Sequence, residues 1–101
     1  MNRRLNIQEM LENIINSTNV YFQPPETVRM KYPAIVYELE NMHMLYANNK
    51  PYNHTEVYSV IYITKNPDDE NIYKISNLST CSFIRTYKSD NLYHYVFRIN
   101  Y

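Results

Sequence analysis

The sequence predicts an α+β fold, a single domain in which two helices pack on one face of a mainly antiparallel sheet of about five strands. Two segments carry apolar residues at the helical period, and further segments alternate at the two-residue period of a strand. The chain has 101 residues, which suffice for one hydrophobic core but not for two. We therefore expect one domain over residues 1–101, with the element order α-β-β-β-α-β-β.

The first predicted helix covers residues 6–16, where one face is apolar. That stripe consists of Ile7, Met10, Leu11, Ile14 and Ile15. Asn6 is the expected N-cap, and Glu9 stands at the position that completes a capping box. The segment Asn16–Asn19 is expected to end the helix, with Asn in the place that Gly commonly takes.

A short strand over Val20–Phe22 and a loop over residues 24–33 lead to a long strand over residues 34–46. The apolar residues of this long strand change parity partway along it. The first set is Ile35, Tyr37 and Leu39, and the second is Met42, Met44 and Tyr46. A β-bulge near Asn41 would return both sets to the same side of the sheet.

A turn over residues 48–51 leads to a strand over residues 55–65. This strand is apolar on both faces, so it lies either at the centre of the sheet or with one face against a partner. A helix follows over residues 67–80, with Asn66 as the expected N-cap and Pro67 at the first helical position. The buried stripe of this helix is Ile72, Ile75 and Leu78.

Two closing strands, over residues 82–88 and 92–101, are joined at Ser89–Asn91 and form a predicted hairpin. Three polar residues of this hairpin form either a functional patch or part of a solvated sheet face. The second alternative is common, because antiparallel sheets often expose one side to water. The three residues are Arg85, His94 and Arg98.

Composition excludes several classes of function. Ten basic and ten acidic residues cancel, so charge gives no argument for binding nucleic acid or an anionic membrane. The chain contains no Gly, which phosphate-binding loops and the nucleophile elbow of hydrolases require. Cys81 is the only cysteine, so an intrachain disulfide and a cysteine zinc cluster are both impossible. We also expect no signal peptide and no membrane span.

No set of residues in the sequence matches a catalytic or metal-binding pattern, so we expect no enzyme, no cofactor and no metal. The spacing of His43, His54 and His94 fits no zinc motif. Cys81 is expected to be a small buried apolar residue rather than a nucleophile. The acidic run Asp68–Glu70 is explained by its place at a helix N-terminus, where it complements the helix dipole.

What remains is a surplus of Tyr and Met on the predicted strands, and both residue types are enriched at protein interfaces. We predict that five residues in this part of the chain make subunit contacts rather than a monomer core. They are Met42, Met44, Tyr46, Tyr52 and Tyr58. The alternative is an overhanging hairpin that folds back on its own sheet.

Four segments carry a resemblance to a known family. They are Tyr32–Tyr37, Tyr58–Thr64, Asn66–Asp68 and the closing stretch Cys81–Tyr101. In these segments the chain resembles the small head–tail joining and tail-terminator (tail completion) proteins of tailed bacteriophages, especially those of low-GC Gram-positive hosts. The resemblance extends over about residues 5–101.

The resemblance implies a structural virion protein that forms a hexameric ring. Such a ring caps the finished tail tube, stops its polymerisation and offers a surface for attaching the head. The implied partners are further copies of the chain, the tail tube protein and the head connector or stopper proteins, with no nucleic acid and no membrane. The implied location is the neck of the virion, and the host cytoplasm during assembly. Members of the family commonly carry a protruding hairpin that contributes to ring contacts, and by position this is Asn41–Tyr58 here.

Two other functions stay open. One is a different part of the same phage neck, a head-side connector protein that acts as a stopper or adaptor. The other is a small phage-encoded module that binds a host protein. A module of the second kind would be monomeric or dimeric and would not enter the virion.

Overall fold

A computed structural model describes residues 3–24, 29–47, 50–78 and 80–100. Within these ranges the chain forms two helices and five strands, in the predicted order α-β-β-β-α-β-β. The helices are α1 (Arg3–Ile15) and α2 (Asn71–Ser76). The strands are β1 (Val20–Phe22), β2 (Ala34–Ala47), β3 (Lys50–Thr64), β4 (Cys81–Ser89) and β5 (Leu92–Asn100).

The five strands form one mixed sheet in the order β1-β2-β3-β5-β4. Three neighbouring pairs are antiparallel, whereas β1 runs parallel to β2. This parallel pair is the detail in which the sheet differs from the mainly antiparallel one that was expected. The connection over residues 23–33 explains it, because a parallel pair needs a crossover much longer than a hairpin turn.

β3 lies at the centre of the sheet, between β2 and β5, which is one of the two arrangements predicted for a strand that is apolar on both faces. Tyr58, Val60 and Tyr62 belong to the core beneath the helices. Val57 and Ile63, which alternate with them, are buried as well. At these positions the strand is therefore buried on both of its faces.

Both helices pack on the same face of the sheet. α1 contributes Ile7, Leu11 and Ile15, one helical turn apart, and α2 contributes Ile75. All four lie in one cluster with buried strand residues, so the predicted helical stripes are confirmed. The strand residues of this cluster are Val20, Ile35, Tyr37, Tyr58, Val60, Tyr62, Phe97 and Ile99.

Gln8 of α1 provides the polar contacts that allow a tyrosine to enter this core. Its amide nitrogen donates to the carbonyl oxygen of Val20 at 2.9 Å, and its amide oxygen accepts from the hydroxyl of Tyr37. The Tyr37 ring lies 5.0 Å from that of Phe22 and 6.0 Å from that of Tyr58, centroid to centroid. Because a buried tyrosine hydroxyl needs an acceptor, Gln8 ties α1 to both β1 and β2.

The two ends of α1 correct one prediction and confirm another. Asn6 is not the N-cap, and the predicted capping box is wrong, because the helix begins at Arg3. Arg and Leu are good helix formers, so the residues before Asn6 continue the helix. At the other end Asn16 has a φ of 52°, and the amide of Ser17 donates to the carbonyl oxygen of Glu12 at 3.1 Å. This is a Schellman ending with Asn in place of Gly, as predicted.

α2 is shorter than the predicted helix over residues 67–80, and Asn66 is not its N-cap. Side chains in the preceding segment form turns instead. The Asn66 side chain accepts from the amide of Asp68 at 3.0 Å, and the Asp69 carboxylate accepts from the amide of Asn71 at 3.0 Å. Such side-chain bonds to the backbone compete with helix formation, so the helix starts only at Asn71.

Asp69 also fixes this turn to the sheet. Its second carboxylate oxygen accepts from the hydroxyls of Tyr62 at 2.5 Å and Thr64 at 3.0 Å. The side-chain amide of Asn71 donates to the Tyr62 hydroxyl at 3.1 Å. Burial, followed by the hydrogen bond to Asp69, raises the pKa of Tyr62, so this hydroxyl remains a donor. Asp69 therefore joins β3 to the first turn of α2.

β4 and β5 form the predicted hairpin. Ser89 pairs with Leu92, which leaves Asp90 and Asn91 as a two-residue turn. Their φ angles are 54° and 62°, the positive values of a type I′ turn. Asp and Asn tolerate this left-handed region better than other residues with a side chain, so the hairpin forms without glycine.

Candidate functional site

β2 and β3 extend well beyond the rest of the sheet. β1 pairs with β2 over Val20–Phe22 only, and β5 pairs with β3 only over Val57–Thr64. β2 and β3 continue to pair with each other up to the connection between them. Among the described residues no other strand flanks this outer part, residues 41–47 and 50–56, which we call the ribbon. The longest dimension of the molecule is accordingly 52 Å, against 28 Å and 23 Å for the others.

The predicted bulge in β2 is confirmed, because the register of β2 on β3 shifts between Leu39 and Asn41. A second shift lies between Leu45 and Tyr46, where Tyr46 is paired with Pro51. The sequence assigned Pro51 to a turn, but it lies within β3. Proline has no N–H to donate and is found at edges and irregular positions of sheets, so it is tolerated here.

The predicted contact residues divide between the ribbon and the core. Four of them stand on the ribbon, and their side chains lie outside the described residues: Met42, Met44, Tyr46 and Tyr52. Tyr58 is a correction, because it is 2 % exposed and belongs to the core of a single subunit. Its ring packs against Tyr37 and its hydroxyl donates to Glu56. A second subunit therefore cannot reach the Tyr58 ring in this fold.

β4 is a second exposed element, at one edge of the sheet. All its residues from Ser82 onward are exposed to solvent. Phe83 and Ile84 are 54 % and 44 % exposed, although both are apolar. The register of β4 on β5 shifts between Phe83 and Arg85, so Ile84 is the extra residue of a bulge. Two adjacent apolar residues in an alternating strand are the signal that could have indicated this bulge from the sequence.

Arg85, His94 and Arg98 do not form one site. The ring of Tyr87 stacks on that of His94 with centroids 4.6 Å apart, and the Arg85 guanidinium lies 5.3 Å from the Tyr87 centroid. Arg98 instead makes two hydrogen bonds to Glu40, of 2.7 Å and 3.0 Å. The hydrogen bonds from Arg98 lower the pKa of the Glu40 carboxyl. These residues form a polar sheet face that carries one exposed ion pair and, four residues away along β5, one aromatic stack.

Cys81, the candidate nucleophile, and His94 are not brought together. By the register of β4 on β5, Cys81 and His94 lie five residues apart along the hairpin, roughly 17 Å. Burial raises the pKa of the Cys81 thiol, so it stays protonated at neutral pH. The side chains of His43 and His54 lie outside the described residues. Within the described part of the chain, no group of three or more His, Cys, Asp or Glu side chains could hold a metal ion.

The chain gives no match to any model of a known protein family, and none to any curated protein. Within the described ranges, neither helix is long and apolar enough to span a bilayer. Among the described residues, the ribbon and the outer side of β4 are the parts of the sheet that no further strand flanks.

Proposed function

We propose that this chain is a structural protein of a phage virion, a ring-forming tail terminator that caps the tail tube and joins it to the head. The role in the tail and the number of six copies follow from the resemblance of the sequence to that family. The ribbon is the structural observation that supports assembly, since it is a protruding hairpin at the position where the family carries one.

Contact with a partner is expected to stabilise the ribbon. A hairpin of two strands is at best marginally stable in water, because each strand leaves one edge of its backbone unpaired. Residues 41–47 and 50–56 pair only with each other among the residues described. Contact with another copy, or with a neighbouring virion protein, would cover these strands and hold them in one conformation.

The sequence of the ribbon suits a protein interface. It contains only two formally charged residues, Lys50 and Glu56. Charged residues are depleted at the centre of interfaces, whereas Tyr and Met are enriched there. The Tyr and Met residues of the ribbon are Met42, Met44, Tyr46 and Tyr52. We therefore assign these four to contacts between subunits.

A terminator must form a closed assembly. When one surface of a subunit meets a different surface of the next, the chain of subunits either closes into a ring or continues as a filament. The sheet has β1 and the outer part of β2 at one edge and β4 at the other, so its two edges differ in length and exposure. A ring built from such unlike surfaces would stop the tail tube rather than extend it.

Loss of the protein in the phage that encodes it tests this function. Deleting its gene is expected to leave heads and tails unjoined, with tails of uncontrolled length, because nothing would stop tube polymerisation. Electron microscopy of lysates measures both properties, and restoring the gene on a plasmid is the control. Tails of normal length that fail to join heads would assign the chain to a stopper or adaptor instead. Normal infectious particles would contradict a structural role and favour binding to a host protein.

A further inference from the structure

We infer that β4 of one copy docks on a groove in the helix layer of another copy, between α1 and Leu78. This inference rests on the proposed function, because it takes the partner to be a second copy of the chain. Three properties of the described residues carry it: the two surfaces are both partly apolar, they carry opposite charges, and they have similar lengths.

The groove lies between α1 and the segment that connects α2 to β4. Its apolar part consists of Met10, Ile14 and Leu78, which pack against the core and remain partly accessible to solvent. The cavity volume is about 530 Å³, which is within the range of clefts that bind ligands. The described residues that line the groove are Asn6, Glu9, Met10, Asn13, Ile14 and Leu78.

β4 carries the surface that would enter this groove. Phe83, Ile84 and Tyr87 are 54 %, 44 % and 39 % exposed, and they are three of the six large apolar side chains that the described part of the chain exposes. The bulge at Ile84 and the basic residues Arg85 and Lys88 are features that keep an edge strand from pairing with another strand. We therefore expect β4 to meet its partner through side chains rather than by extending the sheet.

The charges of the two surfaces are opposite. β4 contains Arg85 and Lys88 and no acidic residue. The described lining of the groove contains Glu9 and neither Lys nor Arg, and Glu12 lines an adjoining hollow that shares Asn13 with it. Placing β4 on the groove of another copy therefore brings opposite charges together, whereas placing β4 against a second β4 brings like charges together.

The lengths of the two surfaces agree as well. α1 rises roughly 12 Å from Asn6 to Ile14, and the strand spans roughly 13 Å from Phe83 to Tyr87. Because one surface is a groove beside a helix and the other an edge strand, repeated contacts add copies head to tail and give a ring when the rotation closes. Neither surface includes residues 41–47 or 50–56, so this contact is separate from that of the ribbon.

Charge reversal tests this contact, with the oligomeric mass of the full-length chain as the readout. Glu9→Lys reverses the charge of the groove, and Arg85→Glu with Lys88→Glu reverses that of β4. All three side chains are exposed, so the melting temperature should stay near that of the wild type. We expect each variant alone to weaken the contact between copies about 10-fold, because like charges then face each other. A 1:1 mixture of the two variants should restore the wild-type assembly, because every contact between unlike copies again joins opposite charges.

Variants at other exposed charges control for the change in net charge. Glu70→Lys matches the groove variant and Lys31→Glu with Lys65→Glu matches the β4 variant, and both should assemble like the wild type. A wild-type ring that the reversals leave unchanged, or whose loss the mixture does not reverse, would overturn the contact and leave the proposed function standing. A wild-type dimer that both reversals weaken and the mixture restores would confirm the contact and contradict the ring. A wild-type chain that stays monomeric would overturn both.

Discussion

Replacing Ile75 by Asp is expected to abolish cooperative folding of the domain. Ile75 is 0 % exposed and is the residue of α2 that enters the core formed with α1 and the sheet. An unpaired carboxylate at this position costs several kcal/mol, which is comparable with the whole stability of a small domain, about 5–15 kcal/mol. Thermal unfolding followed by circular dichroism measures the effect, and we expect no sigmoidal transition.

Tyr73→Asp is the matched control, since it introduces the same charge two residues earlier on α2. Tyr73 is 68 % exposed, so this variant should melt within a few degrees of the wild type. If Ile75→Asp retained the transition of the control, α2 would not pack as described. Ile75→Val should lie between the two, because it removes a single methyl group from the core and costs about 0.5–1.5 kcal/mol.

Removing the outer part of the ribbon is expected to abolish assembly and to leave the fold intact. Met42 and Glu56 are partners in the register of β2 on β3, so residues 43–55 can be replaced by Asn-Gly, which forms a two-residue hairpin turn. β3 then still pairs with β5 from Val57 onward, and the core is unchanged. Light scattering gives the mass of the shortened chain, and its melting temperature reports the fold.

Tyr46→Glu is the companion variant, because it adds a charge to the ribbon and keeps every backbone pair. We expect a weaker ring and an unchanged melting temperature. A shortened chain that still forms the wild-type ring would contradict the role of the ribbon. If the shortened chain failed to fold, the Tyr46→Glu variant would provide the test instead. Assembly of that variant to the same extent as the wild type would contradict the role of the ribbon.

The helix stripes, the element order and the bulge in β2 could be predicted because each leaves a local pattern. Ile7, Leu11 and Ile15 repeat at the helical period, and the parity of the apolar residues changes at Asn41. The start of α2 could not be predicted in this way. In sequence, the acidic residues after Pro67 fit a helix N-terminus as well as they fit a turn. The start of the helix is determined by the hydrogen bonds of Asp69 to two hydroxyls on β3, which are contacts between residues of different elements.

The candidate site was less accessible to sequence reasoning, because it depends on the spatial order of the strands. Tyr58 stands on a strand that is apolar on both faces, and periodicity does not show which face is covered by the helices. The exposure of β4 follows from its place at the edge of the sheet, which no local pattern encodes. The overhang of the ribbon depends likewise on where β5 ends, relative to β3.

The mass of the purified wild-type chain at high concentration tests the closed ring most directly. We predict one discrete species by native mass spectrometry, near six times the subunit mass of 12.3 kDa, and annular particles by electron microscopy. The mass should not increase further as the concentration rises, because a closed ring leaves no free end. A monomer at every concentration, or filaments that lengthen with concentration, would contradict the ring.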